Sequence, residues 1–214
     1  MKMTSILEFK KIYKILFKEY SQRNWWPTIS SNKRFEISVG AILTQNTSWS
    51  NVEKAIKNLI KNDLLSREAI KRINTKNLAK IIRSSGYHNQ KARKLKEFIK
   101  FLCSGKEVNR ENLLDVWGIG KETADSILLY AYNKPIFVID AYTKRIINRI
   151  GFKEQSYDEL QNLFANNLDK NVNLFKEYHA LLVEHGKNIC KKKPLCEKCC
   201  LNKKCNYYKL DINN

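Results

Sequence analysis

Apolar residues recur every three or four positions along almost the whole chain, as in the stripe of Phe9, Tyr13 and Leu16. This is the period of amphipathic helices, and no segment shows the sustained alternation of a half-buried strand. The apolar run from Pro135 to Asp140 is short and favours an extended link between helices. The pattern therefore predicts an all-α fold with roughly ten helices.

The chain is strongly basic, with 40 Lys and Arg residues against 21 Asp and Glu residues and a formal net charge of +19. This excess is large for an enzyme of small neutral substrates. It favours a polyanionic partner, either nucleic acid or an acidic membrane surface. The 214 residues are 43% hydrophobic, so the chain can bury the core of one large or two small domains.

Nothing in the sequence predicts insertion into a membrane or export. No run approaches the roughly 18 apolar residues of a spanning helix. The N-terminal apolar stretch contains charges and lacks a small-residue cleavage site, unlike a signal peptide. We therefore expect a cytoplasmic protein without a membrane partner. We also expect a monomer, because no apolar stripe is left over for an interface between copies.

Gly118-Ile119-Gly120 separates two helical patterns. Two glycines allow a tight reversal with positive φ. The free amides at the start of the next helix could then bind phosphate without reading sequence, and Lys121 adds a positive charge beside them. The alternative is an ordinary glycine-containing connection between helices, because so short a motif is weak when it stands alone.

Asp140 closes the apolar link, twenty residues after Gly120, and a basic helix containing Arg145 and Arg149 follows it. A carboxylate at such a junction is a candidate functional group. It is also the preferred residue type for capping a helix N-terminus, and this simpler interpretation stays open when the residue is considered alone.

Five of the six cysteines lie near the C-terminus, which in a reducing compartment indicates a metal site rather than disulfides. The spacing C-x5-C-x2-C-x5-C is formed by Cys190, Cys196, Cys199 and Cys205. Four thiolates of this kind can hold a [4Fe–4S] cluster or a zinc ion. Cys200 could replace Cys199, although the common C-x2-C spacing favours Cys199. We expect Cys103 to be a core residue of its helix.

The order of hairpin, hydrophobic link and aspartate resembles the endonuclease III superfamily, the helix-hairpin-helix (HhH-GPD) DNA glycosylases. Ala41 to Thr47, AILTQNT, looks like the LLSxQ signature of that family, and Gly86 to Ala92, GYHNQKA, resembles its GxYNxKA segment. The cysteine cluster has a counterpart there, with one residue more in its first gap. The resemblance covers almost the whole chain, in the order of the family.

The resemblance implies two helical domains that flank a DNA cleft. Residues 28–135 would form a six-helix barrel that ends in the hairpin. Residues 1–27 and 136–214 would form the second domain, with a [4Fe–4S] loop at 186–206. The implied partner is double-stranded DNA that contains damaged bases, which would associate this cytoplasmic protein with the nucleoid.

The resemblance also assigns chemistry to two positions. Asp140 would stabilise the positive charge that develops on the sugar while the N-glycosidic bond is hydrolysed. Bifunctional members carry a lysine at the second position after the last hairpin glycine, where this chain has Glu122. A carboxylate cannot form a Schiff base, so we predict a monofunctional glycosylase without AP lyase activity. Lys121, one residue earlier, would restore a lyase if the turn were shifted in register.

The stretch GIGKETADSILLYA, together with WWP and TQNTSW, resembles the bacterial 3-methyladenine (alkylpurine) DNA glycosylases in particular. Alkylated purines carry or approach a positive charge, and aromatic faces select such bases by stacking and cation–π attraction. Trp25, Trp26 and Trp49 would supply those faces, and Pro27 would shape the wall. Alternatively, these tryptophans only pack helices together.

Base flipping leaves a gap in the duplex that the protein must fill. By resemblance, Gln45 would enter the vacated stack and Tyr87 would wedge into the opposite strand. The simpler interpretations are a helix-end hydrogen bond for Gln45 and surface packing for Tyr87. The candidate phosphate contacts are Gly118, Gly120 and Lys121 in the hairpin, and Lys191, Lys192 and Lys193 in the cysteine loop.

Two other interpretations remain. One is a bifunctional endonuclease III for oxidised pyrimidines, against which Glu122 argues. The other is a non-catalytic iron–sulfur DNA-binding protein, against which Asp140 argues. The sequence assigns no catalytic role to the three histidines, among them His179 and His185.

Overall fold

The computed structural model describes residues 2–22, 26–152 and 156–211. Within these ranges there is no strand, and twelve α-helices confirm the predicted all-α fold. The helices are α1 Lys2–Tyr20, α2 Lys33–Leu43, α3 Trp49–Lys61, α4 Arg67–Arg72, α5 Thr75–Ile81, α6 His88–Cys103, α7 Arg110–Leu114, α8 Lys121–Ser126, α9 Ala141–Ile150, α10 Tyr157–Asn167, α11 Val172–Asn188 and α12 Asn206–Asp211.

Four short helical segments of other kinds lie within the same described ranges. Residues Ile127–Ala131 continue α8 as a π-helical segment, and Arg83–Ser85 forms a 3-10 turn before α6. Two further 3-10 turns, Cys196–Lys198 and Asn202–Lys204, shape the loop that carries the cysteines. No helix among the described residues is long and apolar enough to cross a bilayer.

The chain divides into two compact units, residues 26–134 and residues 1–25 with 135–214. We call them the hairpin unit and the cysteine unit. The sequence analysis placed these boundaries at 28 and 135.

The hairpin unit is built around α2, which is buried along most of its length and packs against α3, α6 and α8. Val39, Ile42 and Leu43 are fully buried in its core. Glu36 is also buried, and its carboxylate accepts hydrogen bonds from the backbone amides of Ile29 (3.0 Å) and Ser30 (2.7 Å). The buried carboxylate of Glu36 is therefore satisfied by backbone amides of the segment that precedes α2.

A buried lysine ties α2 to the turn before α6. Lys91 is 2% exposed, and its Nζ donates to the backbone oxygens of Leu43 (2.8 Å) and Ser85 (2.6 Å). Burial lowers the pKa of this amine to about 8, with a smaller contribution from the charge of Lys94. Lys91 thereby fixes the chain next to both predicted wedge residues, Gln45 and Tyr87.

An ion pair between a partly exposed guanidinium and a buried carboxylate joins α7 to α8. The guanidinium of Arg110 donates from Nε (2.8 Å) and from its NH2 nitrogen (3.2 Å) to the two carboxylate oxygens of Asp125, whose side chain is fully buried. We expect Asp125→Asn to lower the free energy of unfolding by about 2 kcal/mol, because it removes the charge from two hydrogen bonds whose carboxylate is fully buried.

Urea unfolding of Asp125→Asn beside Glu53→Gln measures this effect. Glu53 pairs with Lys57 at 2.6 Å on the exposed face of α3, so its replacement should cost less than about 1 kcal/mol. Equal losses in the two variants would contradict the structural importance of the pair between Arg110 and Asp125.

The core of the cysteine unit is aromatic. Phe137 stacks on Phe164 with ring centroids 3.9 Å apart, and Phe9 meets Phe164 edge-on at 4.8 Å. Tyr178 donates its hydroxyl proton to the backbone oxygen of Phe9 (3.1 Å). Phe137 belongs to the link before α9, which has no helical structure, as predicted. The link is therefore anchored in this core immediately before Asp140.

The prediction for Cys103 is wrong, because its side chain is exposed. Cys103 is the last residue of α6, where the helix turns out of the core into Ser104.

Candidate functional site

The hairpin turns at Gly118, which has a φ of +84°. Gly120 has an extended backbone (φ −94°) and caps α8 instead, so only one of the two glycines has the positive φ that the sequence suggested. Gly118 is required for a second reason, since a Cβ there would lie 2.5 Å from Cγ of Lys94. Lys121 and Glu122 are exposed on the first turn of α8.

Gln45 is bonded to this hairpin. Its amide nitrogen donates to the backbone oxygen of Gly118 (3.1 Å) and to Oγ1 of Thr123 (2.8 Å). Its amide oxygen accepts from Nζ of Lys94, whose pKa is lowered by burial. This network agrees with the simpler interpretation of Gln45, a residue that makes hydrogen bonds at the end of a helix. The wedge role remains a prediction, and it requires these bonds to be released.

Tyr87 is 67% exposed and has a left-handed backbone (φ 45°, ψ 33°) immediately before α6. A tyrosine in this conformation is uncommon, and the conformation projects its ring from the turn rather than into the core. Its side chain is therefore available to an external partner.

Three aromatic rings come together in the hairpin unit. The ring of Trp26 lies 5.5 Å from that of Trp49, nearly perpendicular to it, and 4.9 Å from that of Tyr130. Trp26 and Trp49 are half-buried, whereas Pro27 is exposed. Trp25 lies outside the described residues. The sequence analysis did not include Tyr130, and only its place in the apolar run after the hairpin could have indicated it.

Asp140 caps α9. Its Oδ1 accepts a hydrogen bond from the backbone amide of Thr143 (2.7 Å), as the simpler interpretation of this residue proposed. Its Oδ2 lies 3.7 Å from Nε2 of His179, and the carboxylate side chain is 12% exposed. The positive end of the helix dipole also favours a negative charge at this position. Asp140 is thus held by the hydrogen bond from Thr143, lies near His179 and retains limited access to solvent.

The sequence analysis assigned no role to His179, which the structure places beside Asp140. Burial lowers the pKa of this histidine, and the nearby Asp140 carboxylate partly opposes the shift. His179 follows Phe175 by one helical turn, so periodicity could have predicted that it is buried. No sequence pattern could have predicted which residue it meets.

The four predicted ligands line one small cavity, which Ile189 and Leu195 also line. They are Cys190, Cys196, Cys199 and Cys205. Cys200 is not part of this lining. Burial raises the pKa of the Cys199 thiol to about 11, and the other three cysteines contribute smaller increases.

No group of three or more His, Cys, Asp or Glu side chains in the described ranges converges as ligands of a metal ion. All four cysteines nevertheless line one common cavity. In a [4Fe–4S] cluster each thiolate binds a different iron, so its ligands surround a volume rather than a point. The number, type and placement of these donors therefore fit such a cluster.

Two arginines on α9 hold the cysteine loop. Arg145 donates to the backbone oxygens of Cys190 (2.8 Å) and Gly186 (2.9 Å). Arg149 donates to Sγ of Cys190 (3.3 Å) and to the backbone oxygens of Lys191 (2.6 Å) and Lys192 (2.9 Å). The helix that Asp140 caps is therefore also the support of the cysteine loop.

His185 contacts the loop from α11. It is 1% exposed, its Nε2 lies 3.4 Å from Sγ of Cys199, and its Nδ1 lies 2.7 Å from the hydroxyl oxygen of Tyr20. Burial lowers the pKa of this histidine to about 4. At neutral pH its ring thus carries one proton, which Nε2 can donate to Cys199 if Nδ1 accepts from Tyr20.

The cysteine loop also presents basic side chains to solvent. Lys191, Lys192 and Lys193 are exposed at the start of the cysteine loop.

An all-helical protein with a glycine hairpin, a capped aspartate after a buried link and a four-cysteine loop has the features of a DNA repair glycosylase. Residues 39–170 match the family described as HhH-GPD superfamily base excision DNA repair protein. This match spans more than half of the chain, which therefore belongs to that superfamily.

Known relatives agree with this assignment. A protein of Methanocaldococcus jannaschii with the provisional name of DNA repair glycosylase is 46% identical over 210 residues, which cover 91% of this chain and 94% of that protein. Endonuclease III of Thermotoga maritima is 32% identical over 181 residues, covering 82% and 84%. The structure of H. pylori 3-methyladenine DNA glycosylase bound to 1,N6-ethenoadenine has a TM-score of 0.74 and 32% identity, covering 86% and 97%. The chain is a DNA N-glycosylase.

Proposed function

We propose that this glycosylase excises alkylated purines of the 3-methyladenine type from double-stranded DNA and leaves the abasic site intact. The observation that carries the monofunctional assignment is Glu122, exposed on the first turn of α8 at the position of the family's lyase lysine. A carboxylate has no nitrogen with which to attack the sugar, so strand cleavage through a Schiff base is not available there.

Asp140 is the proposed catalytic residue. Departure of the base leaves positive charge on the sugar, and a nearby carboxylate stabilises that charge and orients the attacking water. The hydrogen bond from the Thr143 amide favours this role, because it orients the carboxylate before substrate arrives. An alkylated purine is a good leaving group, so the reaction requires little acid catalysis at the base.

The aromatic group of Trp26, Trp49 and Tyr130 supports the choice of substrate. The half-buried rings of Trp26 and Trp49 offer faces on which a cationic purine can stack, with cation–π attraction that a neutral pyrimidine lacks, and the buried Tyr130 backs the ring of Trp26. The similarity to the H. pylori enzyme points to the same class of base. The similarity to endonuclease III leaves oxidised pyrimidines as the alternative substrate. In the proposal Trp25 and Pro27 complete the pocket wall.

The proposed DNA contacts are those of the sequence analysis. Gln45 and Tyr87 fill the gap that base flipping leaves, and the exposure of Tyr87 supports its part. Gly118, Gly120 and Lys121 bind phosphates at the hairpin. Lys191, Lys192 and Lys193 bind phosphates at the cysteine loop.

The proposed cofactor is a [4Fe–4S] cluster held by Cys190, Cys196, Cys199 and Cys205. When bound, it would brace the loop through four iron–sulfur bonds. Arg149 donates to Cys190, and His185 lies within reach of Cys199, so both offer hydrogen bonds to ligand sulfurs. The loop then presents its lysines to DNA in a fixed arrangement.

Replacement of single cysteines tests the ligand set. We expect Cys199→Ser to lose most of the bound iron and of the absorption near about 400 nm, because it removes one of four ligands. Cys200→Ser should retain both, since Cys200 does not line the cavity. Cys103→Ser, on the exposed end of α6, is the control. Iron loss in Cys200→Ser but not in Cys199→Ser would reverse the assignment, and colourless wild-type protein with bound zinc would exclude the cluster.

The activity is tested with end-labelled duplexes that contain either methylated purines or an oxidised pyrimidine, incubated with and without subsequent alkali. Release of methylpurines, with strand breaks only after alkali, is expected. Release of the oxidised pyrimidine with breaks before alkali would support an endonuclease III activity instead. Binding of both duplexes without release of any base would indicate a non-catalytic protein.

A further inference from the structure

Trp117, the residue before the hairpin glycine Gly118, is 45% exposed although tryptophan is usually mostly buried. The guanidinium carbon of Arg93, from α6, lies 3.9 Å from the centre of its ring. Arg93 is itself exposed. A guanidinium at this distance is held by cation–π attraction, and Trp is the best aromatic partner for it.

The neighbouring lysine strengthens the link between α6 and the hairpin. The aliphatic part of Lys94 covers Gly118, and its Nζ donates to Gln45. Two consecutive basic residues of α6 therefore lie on two consecutive residues of the hairpin. Lys121, exposed at the start of α8, adds a third cation to this part of the hairpin unit.

We propose that Arg93, held on the ring of Trp117, is a binding residue for the DNA backbone. The inference rests on the proposed function, in which the hairpin docks on duplex DNA. A planar guanidinium that stacks on an aromatic face keeps its edge N–H groups for a phosphate, which it can bind through two hydrogen bonds. Stacking also restricts a long side chain before binding, so less conformational entropy is lost in the complex.

The chemistry selects a phosphate over a base. Arg93 lies on the hairpin residue Trp117. The backbone amides of the hairpin and Lys121 are proposed phosphate contacts, so the DNA backbone that they bind would also pass close to Arg93. A phosphate contact requires only charge and N–H donors and carries no sequence information. Trp117 acts through Arg93 and is a positioning residue.

The test measures the affinity for an undamaged duplex between 50 and 200 mM NaCl. Each phosphate contact contributes about 0.9 to the slope of log affinity against log salt. We expect Arg93→Ala to lower the slope by about that amount, so that the affinity lost over this range is about threefold smaller. We expect Trp117→Ala to lower the slope in the same way, although it removes no charge.

Three further variants make the result specific. Trp117→Phe keeps an aromatic face and should retain most of the slope. The double variant Arg93→Ala/Trp117→Ala should be no worse than Arg93→Ala, because both residues form one contact. Arg72→Ala removes an exposed arginine from α4 and should change the slope less.

An unchanged slope in Arg93→Ala would overturn the phosphate contact, and an unchanged slope in Trp117→Ala would overturn the positioning role. If the alanine variant does not fold, Trp117→Leu decides the latter, because it keeps an apolar side chain without an aromatic face and should lower the slope. The proposed function fails separately, since wild-type protein would then release no methylated base, whereas the salt dependence of duplex binding can still be measured. Base release at saturating enzyme and low salt should be the same in Arg72→Ala and wild type.

Discussion

Asp140→Asn is expected to abolish base release, with a fall in the single-turnover rate on the order of 10²–10³-fold or more. The substitution separates the two roles that the structure permits for this residue. Asparagine caps helices as well as aspartate does, so its side-chain oxygen can still accept from the amide of Thr143. It carries no negative charge, however, and cannot stabilise a positive sugar.

Affinity for damaged duplex and the unfolding curve should both stay close to wild type in Asp140→Asn. Ser156→Ala is the matched control, because it removes the side-chain cap of α10 without a proposed role in chemistry. It should lower the stability by about 1 kcal/mol and leave the excision rate unchanged. A folded Asp140→Asn protein that excises bases within a few-fold of wild type would leave Asp140 with a capping role alone.

The helices and the link before Asp140 could be predicted because their signals are local. A helical period is visible within four residues. The link before Asp140 is an apolar run too short to form a helix of its own. The cap itself was visible in the same way, since aspartate is favoured at a helix start. The fold class thus follows from short-range patterns repeated along the chain.

The contacts that define the site join distant parts of the sequence and could not be predicted in this way. His179 reaches Asp140 from a helix that begins more than thirty residues later, at Val172. Gln45 binds the hairpin 73 residues away. Arg145 and Arg149 belong to a basic helix of a strongly basic chain, yet they bind carbonyl oxygens of the cysteine loop. Charge patterns do not reveal whether a cation faces solvent or the protein.

The backbone conformation of Gly120 could not be predicted, for a different reason. Glycine permits a positive φ but does not require one, so two glycines in one turn did not determine which of them has it. The requirement at Gly118 arises from the tight turn and from Lys94, which covers it from another helix.

Wild-type protein should give no covalent adduct when borohydride is added to the reaction with damaged duplex, whereas Glu122→Lys should give a trapped adduct. Borohydride reduces the Schiff base between an amine and the sugar, so trapping reports an amine that attacks that carbon. Glu122 is exposed, and a lysine there requires no change in the core. The expected change is from no detectable adduct to a shifted band on a denaturing gel, with strand breaks that no longer need alkali.

Lys121→Ala is the control that locates the amine. At enzyme concentrations that saturate the duplex it should not alter trapping in either background, because adjacent helical residues lie about 100° apart around the axis and Lys121 therefore points elsewhere. If wild-type protein forms an adduct that Lys121→Ala abolishes, Lys121 is the nucleophile and the enzyme is bifunctional. If Glu122→Lys excises bases and forms no adduct, position 122 does not reach the sugar. In that case the absence of a lysine at this position no longer explains a monofunctional reaction.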